Sequence, residues 1–291
     1  RPELFTALRV LADREPLPAR FLILGSASQG LLRQSSESLA GRIETVAIGG
    51  FRLKDVGGAE RLAEHWFRGG FPLSFLAESD SDSAAWRRNF VQTFLERDVP
   101  QFGRSMAAPA MLRFWTMLAH CHGQVWNASD PARALGVSQP TVKRYAELLE
   151  GLFMIRHLLP WHGNLGKRQV KSPKVYFRDP GLLHHLLGIP RYEDLLSHPK
   201  CGASWEGYVI EEFLKKESPD EAYFWATHGG AELDLLAVRG GRRIGVEVKR
   251  VDAPRMTVSM RTALSDLRLD RLLVFYPGDR RFPLAERVEA V

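Results

Sequence analysis

Residues 233–249 read LDLLAVRGGRRIGVEVK. Two β-prone apolar runs, Leu233–Val238 and Arg243–Lys249, flank Arg239-Gly240-Gly241-Arg242, and a glycine pair between such runs is a hairpin signal. Strand side chains alternate, so Glu247 and Lys249 project to one face while Val246 and Val248 project to the other. Antiparallel pairing across the turn can bring Asp234 beside Glu247. Upstream, residues 205–216 have helical spacing and carry Glu206, and Ala222–Ala226 (AYFWA) reads as a further strand. Downstream, Met260–Leu267 reads as a helix and Arg271–Tyr276 as a strand. The last third is therefore expected to be an α/β unit.

Two carboxylates and an ammonium group brought together in this way suit phosphodiester chemistry. Asp234 and Glu247 are the candidate metal ligands, because Mg²⁺ takes hard oxygen donors and keeps several waters. Glu206 can complete the shell, and Lys249 can orient the attacking water or stabilise a pentavalent phosphate. The candidate catalytic set is Glu206, Asp234, Glu247 and Lys249. The alternative is an ion-paired network of the same residues with no catalysis.

Working backward, residues 127–145 (NASDPARALGVSQPTVKRY) read as a helix-turn-helix. Ser129 or Asp130 can cap a short helix with Pro131 in its first turn, Gly136 makes the tight turn, and Ser138 caps the second helix. Val137, Val142, Leu148 and Leu149 are expected to face inward. Thr141, Lys143 and Arg144 are expected to face outward as DNA contacts. The strand-like MIRHLLPW and KVYFRD segments can form a wing, and Phe153, Met154 and Trp161 fit a core or a protein interface equally well. Helices are expected over residues 83–102, with Trp86, Phe90, Phe94 and Leu95 on one stripe, and over residues 111–126.

At the N-terminal end, Leu4–Ala12 has helical spacing. Phe21–Leu24 (FLIL), followed by Gly25-Ser26-Ala27-Ser28, reads as a buried parallel strand, with a helix over 29–40 and a strand near 43–48. The turn-rich Gly69-Gly70-Phe71-Pro72 stretch marks an expected domain boundary.

Composition sets the outer limits. With 291 residues, two or three domains can each build a core. Lysine and arginine exceed aspartate and glutamate by six, which permits a nucleic-acid partner. No apolar run reaches membrane-spanning length, and the first residues lack a signal-peptide core, so no membrane partner is expected. Cys121 and Cys201 lie far apart with no CxxC pair, which argues against a zinc or disulfide framework and fits the cytoplasm. The adjacent His120, Cys121 and His122, and the pair His184 and His185, are read as structural.

Taken in order, RFLILGSAS, SESLAGRIETVAIGGFRL, RGGFP, NFVQTFLERDVPQFG, SWEGYVIEEF, AELDLLAV and GVEVK resemble a prokaryotic family. Its members are AAA-type ATP-binding proteins with a C-terminal domain of unknown function of the restriction-endonuclease-like, PD-(D/E)xK type. The resemblance implies an α/β multidomain fold in three parts. Residues 1–70 would be the remnant of a P-loop-type ATPase domain, 71–200 a helical region with a winged helix, and 201–291 the restriction-endonuclease-like domain. It places Ser26 as a sensor-like residue near the nucleotide γ-phosphate, and Arg42 at a nucleotide or interdomain surface or, as a structural residue, in a salt bridge. The Walker A loop and the Walker B strand of that family are absent from these 291 residues, and the chain does not begin with Met. The chain thus resembles an N-terminally truncated member that alone does not bind ATP. The implied cofactor is Mg²⁺ and the implied partner DNA. The alternative is a non-enzymatic scaffold that binds protein.

Overall fold

The computed structural model describes residues 3–16, 20–24, 39, 41–44, 46, 48–102, 107–162 and 172–291. It is a mixed α/β structure whose strands form one nine-stranded sheet. The expected first helix is present as α1 (Glu3–Ala12). The expected buried strand at Phe21–Leu24 is not formed. These residues have no regular structure, and Leu22 and Leu24 are 85% and 76% exposed. A buried-strand pattern yields a strand only where neighbours supply hydrogen bonds and cover both faces, and no described strand pairs with this one. The expected strand at 43–48 is likewise absent at its described positions, and the expected helix over 29–40 lies almost wholly outside the described residues. Arg42 does make a salt bridge, with Nε 2.5 Å from Asp13 Oδ1.

A short helix that the sequence did not announce, α2 (Leu62–Arg68), buries His65, Trp66, Phe67 and Arg68. After it come α3 (Pro72–Phe75) and α4 (Asp80–Thr93), the latter capped by Ser79, whose Oγ accepts from Asp82 N. On α4 and the π turn that follows, Trp86, Phe90 and Phe94 stack in sequence, as the stripe predicts. The next helix, α5 (Ala108–His120), buries Met111, Phe114, Trp115 and Leu118. It stops short of the expected Trp126 because Gly123 turns the chain at φ 74° into the two-residue strand β1 (Gln124–Val125).

The helix-turn-helix folds as read. Helices α6 (Ser129–Leu135) and α7 (Gln139–Gly151) are joined through Gly136 in the left-handed conformation, and Ser138 caps α7 by accepting from Thr141 N. Pro131 is buried in the first turn of α6, where Asn127 rather than Ser129 or Asp130 provides the terminal side-chain bond, accepting from Ser129 N. Val142 and Leu149 are buried, but Val137 is 36% exposed, contrary to expectation. The left-handed Gly136 turns the chain before Val137 can reach the core.

Strands β2 (Ile155–Pro160) and β3 (Lys174–Phe177) pair antiparallel as the expected wing. They then lead through α8 (Pro180–Leu186) and α9 (Tyr192–Ser197) to the long helix α10 (Cys201–Glu217). Next come β4 (Glu221–Ala226), β5 (Glu232–Arg239) and β6 (Arg242–Val248), an antiparallel meander, and then α11 (Val258–Asp266). Strand β7 (Arg271–Phe275) pairs parallel to β6, and β8 (Phe282–Ala285) and β9 (Val288–Ala290) close the edge. Gly240 and Gly241 both take positive φ, 54° and 78°, the geometry of a tight hairpin with the right strand twist.

The wing does not stand apart. Strand β2 pairs in parallel with β4, Leu159 with Tyr223 and Pro160 with Phe224, so the sheet runs β1-β3-β2-β4-β5-β6-β7-β9-β8. His65, Trp66 and Gly70 are keyed to segments that follow the expected boundary. Tyr208 of α10 donates to His65 Nδ1, Trp66 Nε1 donates to Ser204 Oγ, and Asp179 Oδ2 accepts from Gly70 N. One core lies under α4–α8, a second between α10 and the sheet, and a third beneath α11.

Candidate functional site

The register of β5 on β6 places Leu235 opposite Val246, so the next rung sets Asp234 opposite Glu247, as the hairpin reading requires. Asp234 Oδ2 accepts from Val248 N at 2.8 Å, which fixes its carboxylate at the end of the strand pair. Glu247 Oε1 lies 2.6 Å from Lys249 Nζ, confirming that the two side chains share a face. Glu206, on the second turn of α10, accepts from Tyr176 OH at 2.5 Å and lies 3.3 Å from Lys174 Nζ through the same oxygen. Lys174 also pairs with Glu232 at the start of β5.

The structure therefore brings Glu206, Asp234, Glu247 and Lys249 into one electrostatic cluster and adds Lys174, Tyr176 and Glu232, which the sequence reading missed. The signal for Lys174 and Tyr176 was faint. They sit two apart on a strand, hence on one face, but nothing local says which carboxylate that face meets.

Burial and like charge control this cluster. Burial pushes the Asp234 carboxyl well above the usual carboxylate range, and the nearby Glu206 and Glu247 push it further, against the pull of Lys174 and the Val248 amide. Glu247 is also raised, by burial first, with Lys249 opposing. Lys174 is raised although burial works against its charge, because Glu206, Asp234 and Glu232 favour the ammonium. Tyr176 is held protonated by burial and the adjacent carboxylates. The carboxylates Glu206, Glu232, Asp234 and Glu247 outnumber Lys174 and Lys249 by two. Access to solvent runs through Glu232 and Lys249, whose side chains are 45% and 35% exposed, whereas Lys174 and Glu247 are nearly sealed.

The acceptors of the cluster are carboxylate oxygens, the donor type that hard divalent cations take. Glu247 Oε2 is buried and has no hydrogen-bond partner, which is costly for a carboxylate oxygen unless a cation or a proton meets it. Among the described residues, no three His, Cys, Asp or Glu side chains form a ready-made metal cage. The two lysines hold Glu206 and Glu247 by one oxygen each.

The nucleic-acid candidates lie on α7. Lys143 and Arg144 are exposed, whereas Thr141 is half-buried and its hydroxyl shares a 2.8 Å hydrogen bond with Ser138 Oγ. Thr141 thus serves the helix cap. Ser26 lies outside the described residues. His122 and His184 are structural. Phe177 N donates to His122 Nδ1, His122 Nε2 donates to Ala203 O, and burial lowers both imidazoles to about 3. A cavity of about 750 Å³ lies elsewhere, between residues 48–55, the Leu152–Met154 turn and the end of α10. It contains none of the acidic-site residues. Its Arg156 and Arg178 both turn to the buried Glu211.

Comparison with known proteins matches two stretches of the chain to family models. Residues 201–291, which supply Glu206, Asp234, Glu247 and Lys249, match the model of a domain of unknown function, DUF4143. Of the residues in the acidic cluster, Lys174 and Tyr176 lie outside that match and the others within it. Residues 59–193, which supply Lys174, Tyr176 and the helix-turn-helix, match a second domain of unknown function, DUF8612. An uncharacterised protein of Mycobacterium tuberculosis (strain H37Rv) and one of Mycobacterium bovis are each 52% identical over the whole of this chain. The chain spans 66% of the length of each of these relatives. No solved structure matches. Among the described residues, no helix is long and apolar enough to cross a membrane.

Proposed function

We propose that this chain is the DNA-engaging part of a longer AAA-type protein, and that its DUF4143 part is a restriction-endonuclease-like domain with divalent-cation-dependent phosphodiesterase activity. The observation that carries this reading is the cluster itself. Glu206, Asp234, Glu247 and Lys249 share one electrostatic cluster, in which Glu247 keeps a buried carboxylate oxygen without a partner. The order helix with Glu206, strand with Asp234, strand with Glu247 and Lys249 is the order on which the nuclease resemblance rests. DUF4143 is found in AAA-ATPase-associated proteins, which agrees with the sequence resemblance.

Asp234 and Glu247 would hold the Mg²⁺, with Glu206 at the rim. Bound there, such an ion supplies an acidified water and neutralises charge on the phosphate. Lys249, half-exposed and tethered to Glu247, would orient the attacking water or bind the phosphate oxygens. Lys143 and Arg144 would hold the duplex backbone from α7. ATP engagement is assigned to the longer protein, since this chain lacks the Walker loops. The cytoplasm is the compartment that suits a DNA partner.

A second reading is favoured by one observation: Lys249 and Lys174 already bond the carboxylates, as they would in a degenerate, non-catalytic scaffold that binds protein. Cleavage of plasmid and single-stranded DNA with Mg²⁺ or Mn²⁺ separates the two. Under the first reading the wild type cuts, and Asp234→Asn and Glu247→Gln do not. Well-folded protein that cuts nothing with either metal supports the scaffold. For the helix-turn-helix, joint replacement of Lys143 and Arg144 by alanine should weaken DNA binding and flatten its salt dependence. Unchanged binding would remove α7 from the interface.

A further inference from the structure

We propose that Lys174, contributed by the winged strand β3, is a functional member of the acidic site. Its ammonium is the built-in counter-ion that competes with a divalent cation for Glu206. This inference rests on the metal-dependent reading above and names how that site is controlled.

Lys174 belongs to the part of the chain that matches DUF8612, yet its charge is used by the DUF4143 part. Its side chain is only 6% exposed, and its Nζ lies over the Phe224 ring, 5.6 Å from the centroid. A lysine is buried this far only when carboxylates compensate the lost hydration. Glu206 and Glu232 are its direct partners, and Asp234 adds to the field that keeps it charged. Tyr176, two residues along the same strand, donates to the same Glu206 oxygen and holds that carboxylate facing β3.

The consequence is a competition. Divalent cations of the Mg²⁺ class need several oxygen donors at once. Glu247 has one oxygen to give and Asp234 lies opposite, but Glu206 is drawn toward Lys174 and Tyr176. That geometry explains why the carboxylates form no cage although they share one field. Loading the site therefore requires Glu206 to be shared with, or released by, Lys174. Removing the ammonium takes one positive charge from beside Glu206, so affinity for a divalent cation should rise.

The test is Mn²⁺ binding by isothermal titration calorimetry to the full chain, with melting curves in EDTA and in Mn²⁺. Lys174→Met should bind Mn²⁺ about tenfold more tightly than wild type, the size of effect expected from one charge removed at short range in a partly screened site. It should also melt lower in EDTA and recover more with Mn²⁺. Lys174→Arg should behave like wild type. Should Lys174→Met fail to fold, Glu232→Gln reads the same competition in reverse. With Glu232 neutral, Lys174 leans harder on Glu206 and Asp234 and Mn²⁺ binding weakens, whereas unchanged binding overturns the competition. Equal or weaker Mn²⁺ binding by folded Lys174→Met overturns the role of Lys174 and leaves the metal reading standing. No Mn²⁺ binding by either wild type or Lys174→Met removes both.

Discussion

Leu159 pairs in parallel with Tyr223, and with the neighbouring rung of Pro160 and Phe224 this joins the winged strands to the acidic meander as one sheet. Trp161 N extends the junction by donating to Phe224 O at 2.7 Å. The helix-turn-helix and the acidic site are therefore mechanically continuous, and Lys174 can reach across from one to the other.

One consequence is thermodynamic. A sheet shared between two parts, with α10 packed on both, should unfold as one unit. Urea denaturation followed by tryptophan fluorescence and by far-ultraviolet circular dichroism is expected to give coincident transitions. Two separated transitions would show that the junction carries little energy.

Asp234 gives a pH prediction. Its folded pKa is raised by burial and by Glu206 and Glu247, so the native state holds a proton that the unfolded chain loses in the ordinary carboxylate range. Stability is therefore lost as pH rises from that range through the raised value. Asp234→Asn keeps an acceptor for Val248 N and removes the charge. In EDTA it should melt above wild type at pH 8, with the gap closing as pH falls toward 5. A constant gap across that range would contradict the assignment.

Gly207 lies on α10 where the loop carrying His122 comes closest. A Cβ there would sit 2.3 Å from His122 Nε2, and that ring is held by bonds to Phe177 N and Ala203 O. Gly207→Ala should cost about 1–3 kcal/mol by overpacking, even though alanine is the better helix former. Equilibrium unfolding would measure it, and a neutral or stabilising outcome would mean that the loop moves freely.

Glu211 is the buried carboxylate on which two guanidinium groups converge. Arg156 Nε lies 2.5 Å from Oε1, and Arg178 Nε lies 3.5 Å from Oε2. Despite its burial, Arg156 and Arg178 hold its carboxyl below the usual range. Glu211→Gln leaves both arginines without their counter-charge and should cost about 3–5 kcal/mol. A loss under about 1 kcal/mol, the scale of a surface pair, would show that solvent already screens the cluster.

Local signals were enough wherever the physics is local. The glycine pair at 240–241 set a turn, the period of two put Glu247 and Lys249 on one face, and Ser138 capped α7 by accepting from Thr141 N, three residues on. The same reasoning misjudged Phe21–Leu24, because an apolar run becomes a buried strand only when others lie beside it. It passed over α2 because His65 and Arg68 look like surface residues until Tyr208, Phe75 and Asp80 meet them.

By itself, then, the sequence determined the acidic strand pair, the helix-turn-helix and the residue types available for chemistry. Only the tertiary structure decided that Lys174 and Tyr176 come to Glu206, that Glu247 keeps one buried oxygen without a partner, and that wing and meander share a sheet. Turn and strand preferences are set within a few residues along the chain. Which charges become neighbours depends on contacts between segments some thirty residues apart or more, as for Tyr176 and Glu206, and burial is what gives those contacts their strength.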